Sequence, residues 1–247
     1  YMDSVPMVAI TCNVANTLVG RDAFQEIYIT GITMPITKHN FFVNRTEDLA
    51  DALRDAFRIA QSGRKGPVLV DVTKDVTAAE MDYTPQQPLA IAELPKAKEE
   101  ELQLVAEAIH RAKCPVIYAG GGLTACGAEQ ELQALMQKAD IPTAYTMMAA
   151  GVVPYNDERC LGMIGMHGSV TANQALHHAD LVLALGTRFS DRVALNIEKF
   201  SPGAVKIQVD IDPCEINKNV PVDQYIGGDV KDFLQRLLPQ VQPNTHP

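Results

Sequence analysis

Apolar residues fall along this chain in two rhythms: short unbroken runs, and longer stretches in which they recur every three or four positions. Val8 to Thr11 (VAIT), Pro67 to Val72 (PVLVDV), Pro115 to Ala119 (PVIYA), Ile141 to Thr146 and Leu181 to Leu185 (LVLAL) are runs of the first kind. Such runs, bounded by turn residues, suit strands buried on both faces of a parallel sheet. The alternating Val205, Ile207, Val209 and Ile211 predict another strand, and Tyr225-Ile226 a short last one. The second rhythm predicts helices. Behind Thr46 as a cap come Leu49, Leu53, Ala56, Phe57 and Ala60, with Gly63 where a helix C′ glycine belongs. Glu99 to Ala112, Ala128 to Ala139, the stretch after a capping Ser169 (Ala172, Ala175, Leu176) and the stretch from Val230 (Phe233, Leu234, Leu237, Leu238) follow suit.

Strands alternating with helices predict an α/β fold with parallel sheets. Residues 77–95 break the alternation with Pro85, Pro88 and Pro95 and read as a linker. The expected organisation is an α/β unit over residues 1–76, the linker, and a Rossmann-like doubly wound domain over 96–247 built from about five βα units.

Composition removes several function classes. The net charge is −9 and the basic residues are scattered, which excludes the clustered Lys and Arg that nucleic acid or an anionic membrane requires. No apolar run approaches the roughly 20 residues of a membrane span, and no signal-peptide pattern opens the chain. Five cysteines (Cys12, Cys114, Cys126, Cys160, Cys214) without a CxxC read as free thiols in a reducing cytoplasm. Tyr1-Met2-Asp3 runs into an apolar strand with no helix or cap before it, which reads as a fragment of a longer chain.

Candidate chemistry lies at the carboxyl ends of the strands, where open parallel sheets bind ligands. PVIYA runs into Gly120-Gly121-Gly122, whose missing Cβ atoms would let backbone amides approach a ligand, although such a run is equally a plain turn. Met147 and Met148 follow the next strand; Arg188 follows LVLAL, with Arg192 close behind; Asp210-Ile211 and Asp229-Val230 follow the last two. His167-Gly168-Ser169 opens a helix and would suit a phosphate, with the two arginines supplying charge or else forming surface ion pairs. Asp210 stands where a carboxylate accepts ribose hydroxyls in dinucleotide folds. The methionines, including Met163 and Met166, are either core or the wall of a flat apolar ligand such as a flavin. His177 and His178, late in their helix, favour its dipole and carry no assigned chemistry.

Together, YMDSVPMVAIT, GRDAFQE, GITMPITKHNFFV, SGRKGPVLVDVTKDV, LGMIGMHGSVTANQALHHADLVLALGTRFSDRV and VDIDPCEINKN closely resemble the large catalytic subunit of the acetohydroxyacid (acetolactate) synthase family. The resemblance implies a partial pyrimidine-binding domain of a thiamine-diphosphate enzyme, followed by a central FAD domain. The activity it implies is decarboxylation of pyruvate and its condensation with pyruvate or 2-oxobutanoate in branched-chain amino-acid biosynthesis. It also implies Mg2+, a homodimer or homotetramer, and a small regulatory subunit as a further partner. By the same resemblance, Arg64, Gly120 to Gly122, Thr146, Met147, Met148, Met166, His167, Gly168, Ser169, Arg188, Arg192, Asp210, Ile211, Asp229 and Val230 fall on FAD-contacting segments. Phe24, Gln25 and Lys74 fall at the mouth of the active site. No catalytic residue or metal ligand is expected in the chain itself.

Departures from the family pattern are Cys12-Asn13-Val14-Ala15 in place of GQVP, and Ser190 in place of Asp in RFDDR. The helix-borne glutamate that activates the aminopyrimidine, and the GDG…N motif for Mg2+ and diphosphate, have no counterpart in the sequence. The fragment alone is therefore expected to be inactive and mainly to bind FAD. Two other readings remain open: a related thiamine enzyme of the glyoxylate carboligase or pyruvate oxidase type, and a non-catalytic nucleotide-binding module.

Overall fold

A computed structural model describes residues 1–243. The chain divides into two compact units, Tyr1–Glu93 and a second from Leu94 onward; the last four residues of the expected 96–247 domain lie outside the described residues.

The first unit holds β1 (Met7–Asn13), α1 (Ile29–Thr33), β2 (His39–Val43), α2 (Thr46–Gln61), β3 (Pro67–Thr73) and α3 (Lys74–Ala78). Its three strands are parallel in the order β1-β3-β2. Central β3 is buried at every residue, as a continuous apolar run predicts. β1, expected to be buried, is an edge strand, and Ile10 is 60% exposed. The reason is topological, since one β1 flank has no strand partner in this sheet. α2 differs in detail too. Thr46 is its first helical residue and Arg45 its cap, while Gly63 does take the left-handed conformation just past the end (φ +51°). The buried stripe is Ala52, Ala56 and Ala60; alanine lets the helix axis approach β3 closely, and Phe57 on the flank stays 56% exposed. Leu49, Leu53 and Phe57 instead line a cavity of about 1070 Å³ together with Met81, Tyr83 and Leu89 from the proline-rich stretch.

The second unit holds α4 (Glu99–Arg111), β4 (Pro115–Ala119), α5 (Gly121–Cys126), α6 (Glu129–Ala139), β5 (Thr143–Tyr145), β6 (Cys160–Met163), α7 (Val170–His178), β7 (Leu181–Leu185), β8 (Val205–Asp210), β9 (Gln224–Gly227) and α8 (Val230–Leu237). The six strands are parallel in the order β6-β5-β4-β7-β8-β9. Counted from β4, this is the 3-2-1-4-5-6 order of doubly wound dinucleotide folds, with its switch point between β4 and β7. Ile117, Leu183, Ile207 and Val209 face α4, α6 and α8 on one side; Val116, Tyr118, Val182 and Ala184 face α7, Phe189 and Phe200 on the other. Each fully buried leucine, isoleucine or phenylalanine here (Leu102, Ile109, Leu132, Phe233) contributes roughly 1.5–3 kcal/mol by leaving water. β2 and β6 were not foreseen. His39 and Asn40 interrupt the apolar signal of the first, and Gly162 at φ +90° makes the second read as loop.

Candidate functional site

The carboxyl ends of β4 and β7 are joined backbone to backbone. Gly120 N–H donates to the Leu185 carbonyl at 2.9 Å, and Gly122 N–H to the Gly186 carbonyl at 2.9 Å. A Cβ on Gly120 would lie 2.2 Å from the Gly186 oxygen, and one on Gly122 would lie 2.8 Å from the Gly186 Cα. Two of the three amides that the sequence offered to a ligand are therefore spent holding the switch point shut. Gly121 alone faces outward toward another element: its Cβ position is 2.9 Å from the Met148 Cβ. Gly121 and Gly122 are helical, opening α5.

Three of the four candidate methionines are exposed, and Met163 is half-buried. Met147 is 71% exposed, and Met148 and Met166 are exposed as well. Met147 and Met148 follow β5 in a single 3-10 turn packed on α5. The loop carrying Met166 follows the neighbouring β6, pinned by Ile164 N–H to the Tyr145 carbonyl and Met166 N–H to the Arg192 carbonyl. Gly165 at φ +109° is needed there, because a Cβ would meet the Arg192 oxygen at 2.7 Å. Asn173 holds the loop from α7, accepting from Gly165 N–H and donating to its carbonyl. His167 is exposed, and Gly168 is packed so closely that a Cβ would lie 2.3 Å from the Met163 oxygen. Ser169 caps α7 by accepting from Ala172 N–H at 3.0 Å while donating to the Leu161 carbonyl at 2.7 Å. Thr146 keeps a buried hydroxyl with no hydrogen-bond partner among the described residues.

The two arginines have different surroundings. Arg192 is exposed, 3.8 Å from Asp191 and 3.6 Å from the Met166 sulfur. Arg188 is half-buried, with its carbonyl accepting from Asn219 at 3.1 Å. Its charge acts on Tyr118, whose hydroxyl is pushed up to about 12, chiefly by burial, against a weaker opposing pull from Thr187 and Arg188. The Thr187 contact falls short of full hydrogen-bond geometry.

On the far side of the switch point, Asp210 ends β8 buried, its carboxylate accepting from Asp212 N–H at 2.9 Å and its carbonyl from the Tyr225 hydroxyl at 2.9 Å. Burial and the nearby Asp210 charge push the Tyr225 hydroxyl up to about 12. Asp229 caps α8, accepting from Lys231 and Asp232 N–H at 2.8 and 3.1 Å. Val230 follows it as the first residue of α8. Its side chain is 3% exposed and lies in the core, leaving only its backbone for any ligand. Ile211 is partly buried.

In the first unit, Lys74 starts α3 with its N–H on the Val14 carbonyl, so it stands beside the Cys12–Ala15 loop. Phe24 is 90% exposed, and Gln25 beside it holds a left-handed backbone (φ +64°). Arg64, in the turn before β3, donates to the Ser4 hydroxyl at 3.0 Å. Buried Asp71 accepts from Thr11 and Asn13 at 2.7 Å each.

Sequence reasoning passed over Asn173, Gln208 and Asn219, the amides that fix the site's loops. A lone Asn or Gln carries no motif; only Gln208, polar at the centre of the β8 apolar run, gave a signal. Among the described residues, no group of three or more His, Cys, Asp or Glu could hold a metal ion, and no helix is long and apolar enough to cross a membrane.

A six-stranded parallel sheet in this order, closed at its switch point by glycine and edged with methionine and arginine, places the chain in the doubly wound, dinucleotide-type α/β class. Within that class the family is defined by comparison. The chain belongs to the thiamine pyrophosphate enzymes: the model for their central domain matches residues 102–237. It is similar to the acetolactate synthase large subunit of Corynebacterium glutamicum, at 46% identity over 96% of this chain and 38% of that protein. Isozyme 1 of that large subunit in Escherichia coli K12 is 43% identical over 98% of this chain and 43% of its own length. A probable large subunit from Methanocaldococcus jannaschii is 43% identical over 96% and 41%. The chain spans about two fifths of the length of the curated relatives it matches.

Proposed function

We propose that this chain works within an acetolactate synthase that decarboxylates pyruvate on thiamine diphosphate and condenses it with pyruvate or 2-oxobutanoate. The observation that carries this reading is an identity of 43–46% to acetolactate synthase large subunits, extending over 96–98% of the chain and so across both units. Branched-chain amino-acid synthesis, a cytoplasmic site, a homodimer or homotetramer and a small regulatory subunit belong to the same proposal.

We further propose that the second unit binds FAD. The residues present fit such a ligand: exposed methionines follow two neighbouring strands, and Thr146 offers a buried hydroxyl without a partner. Arg188 is half-buried and forms no ion pair with a carboxylate among the described residues. Bound FAD would supply a flat, redox-active ring and a diphosphate. Met147, Met148 and Met166 would line the apolar part, because thioethers adapt to an irregular surface. Arg188, Arg192 and the Gly121 backbone would meet the charged part, with Asp210 and Asp229 on the adenosine side. Phe24, Gln25 and Lys74 border the substrate entrance, where the Lys74 cation attracts 2-oxo acid carboxylates. Thiamine diphosphate would supply the nucleophilic carbon that takes up pyruvate and releases CO2. No described residue is assigned a step of that chemistry.

The test is made on the intact protein. It should purify with a flavin absorbance spectrum, and form acetolactate from pyruvate only when thiamine diphosphate and Mg2+ are added. Acetolactate formed without thiamine diphosphate would overturn the reading.

A further inference from the structure

We infer that Gln208 and Asn219 are positioning residues that hold the Thr187–Phe189 backbone so that Arg188 meets an anionic group of the nucleotide; this rests on the flavin reading above. The turn after β7 is held from three directions. Gly186 enters it at φ +59° and Phe189 leaves it at φ +49°, a left-handed backbone that a side-chain-bearing residue keeps only when its surroundings over-determine it. Phe189 is buried in an aromatic cluster, 5.6 Å from Tyr118 and 5.7 Å from Phe200. Between these anchors, two successive carbonyls are each taken by a side-chain amide from elsewhere in the chain. Gln208 donates to Thr187 at 3.0 Å and Asn219 to Arg188 at 3.1 Å.

Gln208 is the informative member. It is fully buried in β8 between Ile207 and Val209, and its Oε1 has no hydrogen-bond partner among the described residues. An acceptor buried without a partner is a cost. Against that cost, Nε2 satisfies the buried Thr187 carbonyl, which leucine would leave unpaired. What the amide does is fix the carbonyl next to a half-buried arginine that forms no ion pair with a carboxylate among the described residues. A guanidinium recognises phosphate through a rigid fork of donors, so the position of its backbone decides whether the fork is aimed.

The experiment measures FAD affinity of the intact protein by flavin fluorescence, for Asn219→Ala, Gln208→Leu and Arg188→Gln, singly and combined. Asn219→Asp, which keeps the volume but removes the donor, stands in if Asn219→Ala fails to fold. Each single variant is expected to weaken FAD binding roughly 5- to 30-fold. Gln208→Leu exchanges the unpaired Oε1 for an unpaired Thr187 carbonyl, so the urea midpoint should change little while FAD affinity falls. The salt dependence of affinity should flatten in Asn219→Ala as it does in Arg188→Gln, and Asn219→Ala should cost nothing further once Arg188 is Gln. Unchanged FAD affinity in the amide variants, or an equal loss with and without Arg188, would overturn the inference while leaving the flavin reading standing. A wild-type protein that folds but takes up no FAD would overturn both.

Discussion

A Cβ at Gly120 would sit 2.2 Å from the Gly186 carbonyl oxygen, closer than any real contact, and that oxygen belongs to a backbone with nowhere to move. At Gly203 a Cβ would meet nothing within 4 Å. Gly120→Ala should therefore lower stability by about 1–3 kcal/mol or more, the cost of overpacking a rigid site. Gly203→Ala should stay within about 0.5 kcal/mol of wild type; urea midpoints compare the two. Tyr118 sets a second expectation. Its folded-state hydroxyl is raised to about 12 from an ordinary 10.0, so the folded protein holds its proton more tightly than the unfolded chain does. The corresponding stability is complete below pH 10 and is lost as pH climbs toward 12, on the order of 2–3 kcal/mol. Tyr118→Phe should remove that part of the alkaline loss in denaturation curves measured from pH 8 to 12. Arg188 and the strand-end methionines were legible as site candidates because a charge or thioether right after a buried strand is unusual. The fate of the glycine amides was not, because it depends on β7, more than 60 residues along the chain.

At the scale of elements, helix ends divide structural from ligand-facing work. Asp229 caps α8 through two backbone N–H groups, and the same carboxylate is assigned to the adenosine side of the flavin. Asp229→Ala should lose the cap, at about 0.5–2 kcal/mol. Asp229→Asn keeps the cap, so it should leave the thermal midpoint nearly unchanged while weakening FAD. Calorimetry and flavin titration of the pair separate the two roles. α4, α6 and α8 lie where their periodicity puts them, since each buries one broad apolar face against the sheet. α2 shows the limit of that pattern: its leucines and Phe57 fit the helical period, yet alanines face β3. Periodicity identifies an apolar side but not which part of it the sheet covers.

At the scale of the molecule, residues from Ala79 to Lys98 carry no helix or strand between the two units. Glu80 and Glu93 are both exposed there. A glutamate-specific protease should cut this stretch first and release a piece beginning near Leu94; that piece should keep its flavin spectrum if FAD belongs to the second unit. Mass spectrometry of early fragments and absorbance of the purified piece decide it. Early cleavage inside residues 102–237 would contradict a unit of that extent.

The sequence by itself determined the α/β alternation, nearly every strand and helix of the second unit, and which residues stand at the strand ends. These features follow from local patterns: buried parallel strands are continuous apolar runs, and ligands bind at their carboxyl ends. Only the tertiary structure decided strand order, the exposed edge at β1, the closing of Gly120 and Gly122 on Gly186, and the amide pins on the Arg188 turn. Gln208 and Asn219 lie 21 and 31 residues from the carbonyls they hold. Such contacts come from the sheet bringing distant segments side by side, and no local pattern carries them.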